Sequence, residues 1–212
     1  MTNSQRPTTS NQQPITVAIL AGGKSSRLGR DKAFVEVRGR PLIEDLLAQT
    51  DGLGAETLIV TNNPEAYRYL NLSLFSDVLP ERGPLGGLYT ALSAASQPHV
   101  LCLACDMPFV IRPLIDYLIS LISEGDADAV VPRLGGLVEP LRAIYARTCL
   151  APIRAALEAD QLALHKFLAA SGLRVRFVEE AEIDRFDSQH LSFININTTE
   201  DLEWARKLTR DS

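Results

Sequence analysis

Short apolar runs of strand length alternate with segments of helical periodicity along most of this chain, and that rhythm restricts the fold more than any other feature. The runs are Thr16–Leu20, Thr57–Thr61, Val100–Ala104 and Ala129–Val131. They are too short for helices and apolar almost throughout, as strands are when both faces of their sheet are covered. Leu42, Ile43, Leu46 and Leu47 follow Pro41, a residue favoured in the first turn of a helix. Leu88, Leu92 and Ala95 mark a second helix after Gly86-Gly87, and Leu114, Ile115, Leu118, Ile119 and Ile122 mark a third. A βαβα order predicts an α/β, Rossmann-like, three-layer fold: a mostly parallel sheet, helices on both faces and right-handed crossovers.

Further strands are expected at Pro140–Tyr145, Arg174–Val178 and Leu191–Ile194, some of them antiparallel, and Ala33–Val37 reads as a short strand or extended segment. Asn197 is expected to cap the last helix with Glu200 as its reciprocal partner, and Leu202, Ala205 and Leu208 give that helix a core face. Residues 1–14, rich in Ser, Thr, Asn and Gln, read as a disordered tail, and 15–212 as one domain.

The run ending at Leu20 empties into Ala-Gly-Gly-Lys-Ser-Ser-Arg-Leu-Gly-Arg-Asp-Lys, residues 21–32. Glycines let backbone N–H groups close around an anion, and Lys24, Arg27, Arg30 and Lys32 add cationic side chains. The loop matches neither G-x-x-x-x-G-K-[ST] nor G-x-G-x-x-G. Arg27 and Lys32 are the expected phosphate contacts, a guanidinium binding two oxygens and an ammonium acting as a point charge. Backbone groups of Leu20, Ala21 and Gly22 are expected to face a nucleotide, and Gly23 to Gly29 to wrap its phosphates. The net charge of −5 argues against a nucleic-acid binder, so this is a local positive site suited to a small anion. No apolar run reaches membrane-spanning length, so no membrane partner is expected.

Ligands of parallel sheets bind beyond the carboxyl ends of strands. That rule selects the basic loop, Asn62 after Thr57–Thr61, Asp77 in the stretch before Gly83-Pro-Leu-Gly-Gly, and Asp106 after Val100–Ala104. From position alone Asn62 reads as a turn residue and Asp77 as a plain loop acid or base-edge acceptor. Asp106 is either a helix cap or a ligand for Mg²⁺, which takes one or two carboxylates together with phosphate oxygens and water. Cys102 and Cys105 form a C-x-x-C within an apolar strand, where side chains three apart face opposite ways. Packed thiols in a reducing cytoplasm are therefore expected rather than a redox pair. His99, His165 and His190 have no metal-ligand spacing.

The loop resembles the nucleotidyltransferase signature L-A-[GA]-G-x-[SG]-x-R-[ML]-G-x-[DP]-K, in the double-glycine, Asp-Lys form of the molybdenum cofactor guanylyltransferases. Gly83-Pro-Leu-Gly-Gly, Cys105-Asp-Met-Pro, Glu139-Pro-Leu and Asn195-Ile-Asn-Thr resemble further motifs of that family. The resemblance implies a nucleotidyltransferase fold and transfer of GMP from GTP to the terminal phosphate of Mo-molybdopterin. It implies Mg²⁺ on Asp106, nucleotide contacts at Asn62 and Asp77, and acceptor contacts at Asn195 and Asn197, with Asn195 the stronger choice. Arg142, His165 and Lys166 are further candidates for the acceptor phosphate. Implied partners are molybdenum-insertion proteins and molybdoenzyme chaperones. The competing expectations are a sister enzyme using CTP or a sugar phosphate, a non-catalytic molybdopterin carrier, and a redox protein built on the C-x-x-C.

Overall fold

The computed structural model describes residues 13–22 and 31–210. Its eight-stranded sheet runs in the order β3-β2-β1-β4-β7-β5-β6, with β8 paired to β5. The strands are β1 (Gln13–Leu20), β2 (Gly54–Val60), β3 (Ser73–Phe75), β4 (His99–Ala104), β5 (Ala129–Leu134), β6 (Leu137–Val138), β7 (Arg142–Ala146) and β8 (Val175–Glu179). Around it lie α1 (Leu42–Thr50), α2 (Gly83–Ala94), α3 (Arg112–Glu124), α4 (Leu150–Glu158), α5 (Leu164–Ala170), α6 (Glu180–Ile183) and α7 (Thr199–Arg210). Among the described residues no helix is long and apolar enough to cross a membrane.

β1 is parallel to both β2 and β4, and β2 to β3, so four loops leave the same edge of this half-sheet. β7 is antiparallel to β4 and β5, and β8 is parallel to β5. Alternating strand residues separate two cores. Ile15, Val17, Ile19, Leu101, Leu103 and Ile144 pack with α1, α3 and α7 on one side. Ala18, Leu58, Cys102, Ala143 and Tyr145 pack with α2, α4 and α5 on the other. This is the expected three-layer α/β arrangement. Cys102 and Cys105 fall in different cores and both are buried, as the strand alternation requires. Burial pushes the Cys102 thiol up to about 12, and burial with the nearby Asp106 and Asp31 charges raises Cys105 as well.

Several local expectations are corrected. Gln13 and Pro14 belong to β1 rather than to a tail, while 1–12 lie outside the described residues. Leu191–Phe193 is a 3₁₀ turn, not a strand. The Asp187 carboxylate accepts from the N–H of Leu191 at 3.0 Å and of Ser192 at 2.8 Å, bending the chain away from any ladder. Lys32–Phe34 is also a 3₁₀ turn, leaving only Val35 and the single Glu36–Pro41 bridge extended.

Candidate active site

The loops leaving β1, β2, β3 and β4 surround a cleft of about 1090 Å³. The strand mouths stay in register beyond the ladder: the N–H of Ala21 donates to Val60 O at 2.9 Å and that of Cys105 to Leu20 O at 3.1 Å. Leu20, Ala21 and Gly22 line the cleft, as expected of the segment entering the glycine loop. Gly23, Lys24, Arg27, Gly29 and Arg30 lie outside the described residues.

Asp31 starts the return from that loop. Its Oδ1 accepts from Ala33 N–H at 3.1 Å, capping the 3₁₀ turn, and its Oδ2 accepts from the Tyr67 hydroxyl at 3.0 Å. Burial, reinforced by Asp31, raises the Tyr67 phenol well above its ordinary range, so it stays a donor. This pinned turn aims Lys32 across the mouth. The Lys32 ammonium donates to Asn197 Oδ1 at 2.6 Å and stands 3.3 Å from Asp106 Oδ2. The two charged groups, 74 positions apart in sequence, meet at the carboxyl ends of β1 and β4.

Asp106 follows β4 in a tight turn, with Met107 N–H donating to Ala104 O at 3.3 Å. The Asp106 carbonyl accepts from Ile196 N–H at 2.8 Å, tying the turn to the segment before α7. The helix-cap reading of Asp106 fails: Ile111 is the N-cap of α3, and no side chain caps that end. Its carboxylate is partly exposed and faces the cleft. Among the described residues no cluster of three or more His, Cys, Asp or Glu side chains forms a self-sufficient metal cage. The donor set therefore suits a hard cation that takes one carboxylate and draws its other ligands from phosphate and water.

Asn62 and Asp77 face the cleft together. Asn62 Nδ2 donates to Asp77 Oδ2 at 2.9 Å, and Asp77 N–H donates to Asn62 Oδ1 at 3.2 Å. The amide fixes the carboxylate while leaving it capacity to accept more. Behind it α2 approaches closely: a Cβ on Gly87 would stand 3.2 Å from Leu20 Cδ1 and 3.9 Å from Asp77 Oδ1. Gly83, at φ +59°, makes the turn into that helix.

The acceptor-side expectations change most. Asn197 lines the cleft but Asn195 does not. Asn197 does not cap α7 with Glu200. Thr198 Oγ1 accepts from Asp201 N–H, while Asp201 Oδ2 accepts from the N–H groups of Asn197 and Thr198, both at 2.8 Å. The Asn197 amide oxygen is thereby left to hold Lys32. His165 and Lys166 sit exposed on α5 away from the cleft. Arg142 is wholly buried and cannot touch a substrate phosphate. Sequence reasoning missed the service of Tyr67 to Asp31, a contact between distant segments with no motif to mark it. It also passed over Glu81, which lines the cleft at φ +61° and was signalled only by the Glu-Arg-Gly-Pro turn around it.

Comparison with known proteins accords with this geometry. A family described as "MobA-like NTP transferase domain" matches residues 17–175. A molybdenum cofactor guanylyltransferase of Syntrophotalea carbinolica is 36% identical, covering 91% of this chain and 91% of the relative. A probable molybdenum cofactor guanylyltransferase of Peptoclostridium acidaminophilum is 34% identical, covering 91% of this chain and 89% of the relative. Among solved structures, molybdopterin-guanine dinucleotide biosynthesis protein A of Archaeoglobus fulgidus superposes with a TM-score of 0.82 at 26% identity, covering 93% of this chain and all of that one. A 2-C-methyl-D-erythritol 4-phosphate cytidylyltransferase of Thermus thermophilus, at 23% identity and a TM-score of 0.66 over 91% of this chain and 98% of that one, shares the fold. With matches that run nearly end to end, the chain belongs to the molybdenum cofactor guanylyltransferases of the MobA-like NTP transferase family.

Proposed function

We propose that the protein transfers GMP from GTP to the terminal phosphate of Mo-molybdopterin, giving molybdopterin guanine dinucleotide and pyrophosphate. The observation that carries this reading is the convergence of Lys32 and Asp106 on one cleft, in a chain of this family. In the reaction a phosphate oxygen of the acceptor attacks the α-phosphorus in line, and the bond from that phosphorus to the β-phosphate bridging oxygen breaks. A phosphate monoester is already nucleophilic near pH 7, so positioning and electrostatics carry the rate.

Lys32 and Arg27 neutralise the departing pyrophosphate, together with backbone N–H groups of Gly22 and Gly23. Asp106 would hold Mg²⁺, which when bound neutralises phosphate oxygens as a Lewis acid. Asp77, fixed by Asn62, accepts from the guanine N1–H and N2–H₂ groups, a donor pair that cytosine does not offer. Asn197 keeps Lys32 aimed. The product passes in the cytoplasm to molybdenum-insertion proteins and molybdoenzyme chaperones.

Incubation with GTP, Mg²⁺ and Mo-molybdopterin, read by mass spectrometry, tests this directly. The dinucleotide carrying GMP is expected. A product formed only from CTP moves the protein to the cytidylyl branch, and no nucleotide transfer despite bound molybdopterin makes it a carrier.

A further inference from the structure

The most unusual buried group in the molecule is a cation. Arg142, the first residue of β7, has no solvent exposure, and no carboxylate among the described residues pairs with it within ion-pair distance. Among the described residues its Nε and Nη1 have no hydrogen-bond partner. Its Nη2 has one, the carbonyl oxygen of Met107 at 2.9 Å. Burial lowers the guanidinium to about 10, resisted by Asp187, Asp106 and Glu139 at longer range, so the side chain remains charged near pH 7. An isolated buried charge costs stability, and an apolar side chain of similar length would remove that cost.

We propose that Arg142 is a positioning residue, whose buried guanidinium clamps the Met107 carbonyl and so fixes the turn that presents Asp106 to the cleft. The inference rests on the role proposed above for Asp106. Arg142 stands beside Leu103 in the β4–β7 ladder, under the end of the strand from which the turn departs. The next carbonyl, that of Pro108, is held in the same way from the other side: Gln49 Nε2 donates to it at 2.8 Å, and Gln49 Oε1 accepts from Val110 N–H at 3.0 Å. Gln49 is in turn oriented by the buried Asp45, which its Nε2 reaches at 2.9 Å. Two side chains thus grip successive carbonyls of the turn, and neither lines the cleft. The Gln49 grip is fully satisfied and explains itself as structure. The Arg142 grip uses one donor of a desolvated cation, far more than packing at this position demands.

The test is Arg142→Met, with Arg142→Lys as rescue, measuring pyrophosphate release, thermal unfolding and amide exchange of the peptide spanning residues 104–111. Arg142→Met is expected to unfold at the parental temperature or above, and to lower kcat by about 10- to 100-fold through sub-ångström misplacement of Asp106. Its KM for GTP is expected to stay within about twofold, since the lost interaction is not a binding contact. Exchange should quicken in 104–111 and nowhere else. Arg142→Lys, which keeps the charge and a donor, should recover most of kcat and the parental exchange. Parental kcat with parental exchange in Arg142→Met overturns the proposal. So does a lower unfolding temperature with exchange quickened throughout the sheet, the signature of a merely structural residue. If Arg142→Met does not fold, a folded Arg142→Lys with parental exchange but lost turnover overturns it. Asp106→Asn separates the two readings: if it retains turnover, the role of Asp106 fails, whereas quickened exchange in Arg142→Met still reports the clamp.

Discussion

Lys32 is shared between two acceptors, and the division suits a phosphate ligand. Its ammonium is closer to the neutral amide of Asn197, at 2.6 Å, than to the charged Asp106, at 3.3 Å. Both members of the ion pair are partly exposed, so their mutual attraction is weak and readily exchanged for a phosphate. The pair therefore stores two opposite charges at the mouth: the carboxylate for a cation, the ammonium for an anion. Neither side chain is part of a core cluster. Lys32→Ala and Asp106→Ala are accordingly expected to unfold like the parent and to lower pyrophosphate release by about 10²- to 10³-fold, as when a single preorganised electrostatic group is lost. Steady-state release assays beside thermal melts check this, and near-parental release by either variant removes that residue from the chemistry.

At the scale of elements, α7 depends on a reciprocal cap that also serves the site. Asp201 accepts from two backbone N–H groups, those of Asn197 and Thr198, and these bonds hold its carboxyl below the usual 3.8. A depressed carboxyl contributes stability that is complete above its unfolded value and is lost as pH falls through the lowered one. Asp201→Ala should thus cost about 1 kcal/mol near pH 7, as removal of a cap does, and the deficit should shrink below pH 3.8. Because the same bonds fix Asn197, the variant should also lose part of the hold on Lys32 and turn over more slowly; denaturant melts at several pH values and release assays measure the two effects. The cap shows what the sequence could and could not say. Asn-x-Asn-Thr at a helix entry was legible, as were α1 and α3 from their apolar spacing, and the parallel strands β1, β2 and β4 from their short apolar runs. Which member of the cap faced inward was not, because Asn, Thr and Asp are chemically interchangeable there and only the Lys32 contact, from the far end of the chain, decides. The 191–193 turn escaped for a similar reason: apolar spacing reports which residues are buried, while the bend comes from Asp187 binding backbone N–H groups.

At the scale of the molecule, the sheet brings four loops to one edge, and a nucleotide is the object proposed to span them. Asn62 and Asp77 line the cleft on the β2–β3 side, where the proposed base contact lies, the segment after β1 lines it where the proposed phosphate contact lies, and the turn after β4 brings Asp106, the proposed metal ligand. Residues lining the cleft were legible where they follow β1, β2 and β4 directly, because topology dictates their place. The part of the cleft before α7 was not, because no strand-end rule brings Asn197 to the mouth and leaves Asn195 out of it. Such an arrangement makes ligand and fold mutually dependent, since a ligand bound only by the folded state raises stability in proportion to its occupancy. GTP with Mg²⁺ at a hundred times its dissociation constant should add about 2.7 kcal/mol, which for a chain of this size is a rise of roughly 5–10 °C in the unfolding midpoint. CTP at the same concentration should raise it less, because the Asp77 carboxylate then faces no pair of donors. Asp77→Asn removes that asymmetry at its source: the GTP-induced rise should fall to the CTP level while the midpoint without nucleotide stays parental. Equal shifts by the two nucleotides in the parent protein would mean that the Asn62–Asp77 pair does not read the base, and the guanylyl assignment would then lack its support from this corner of the cleft.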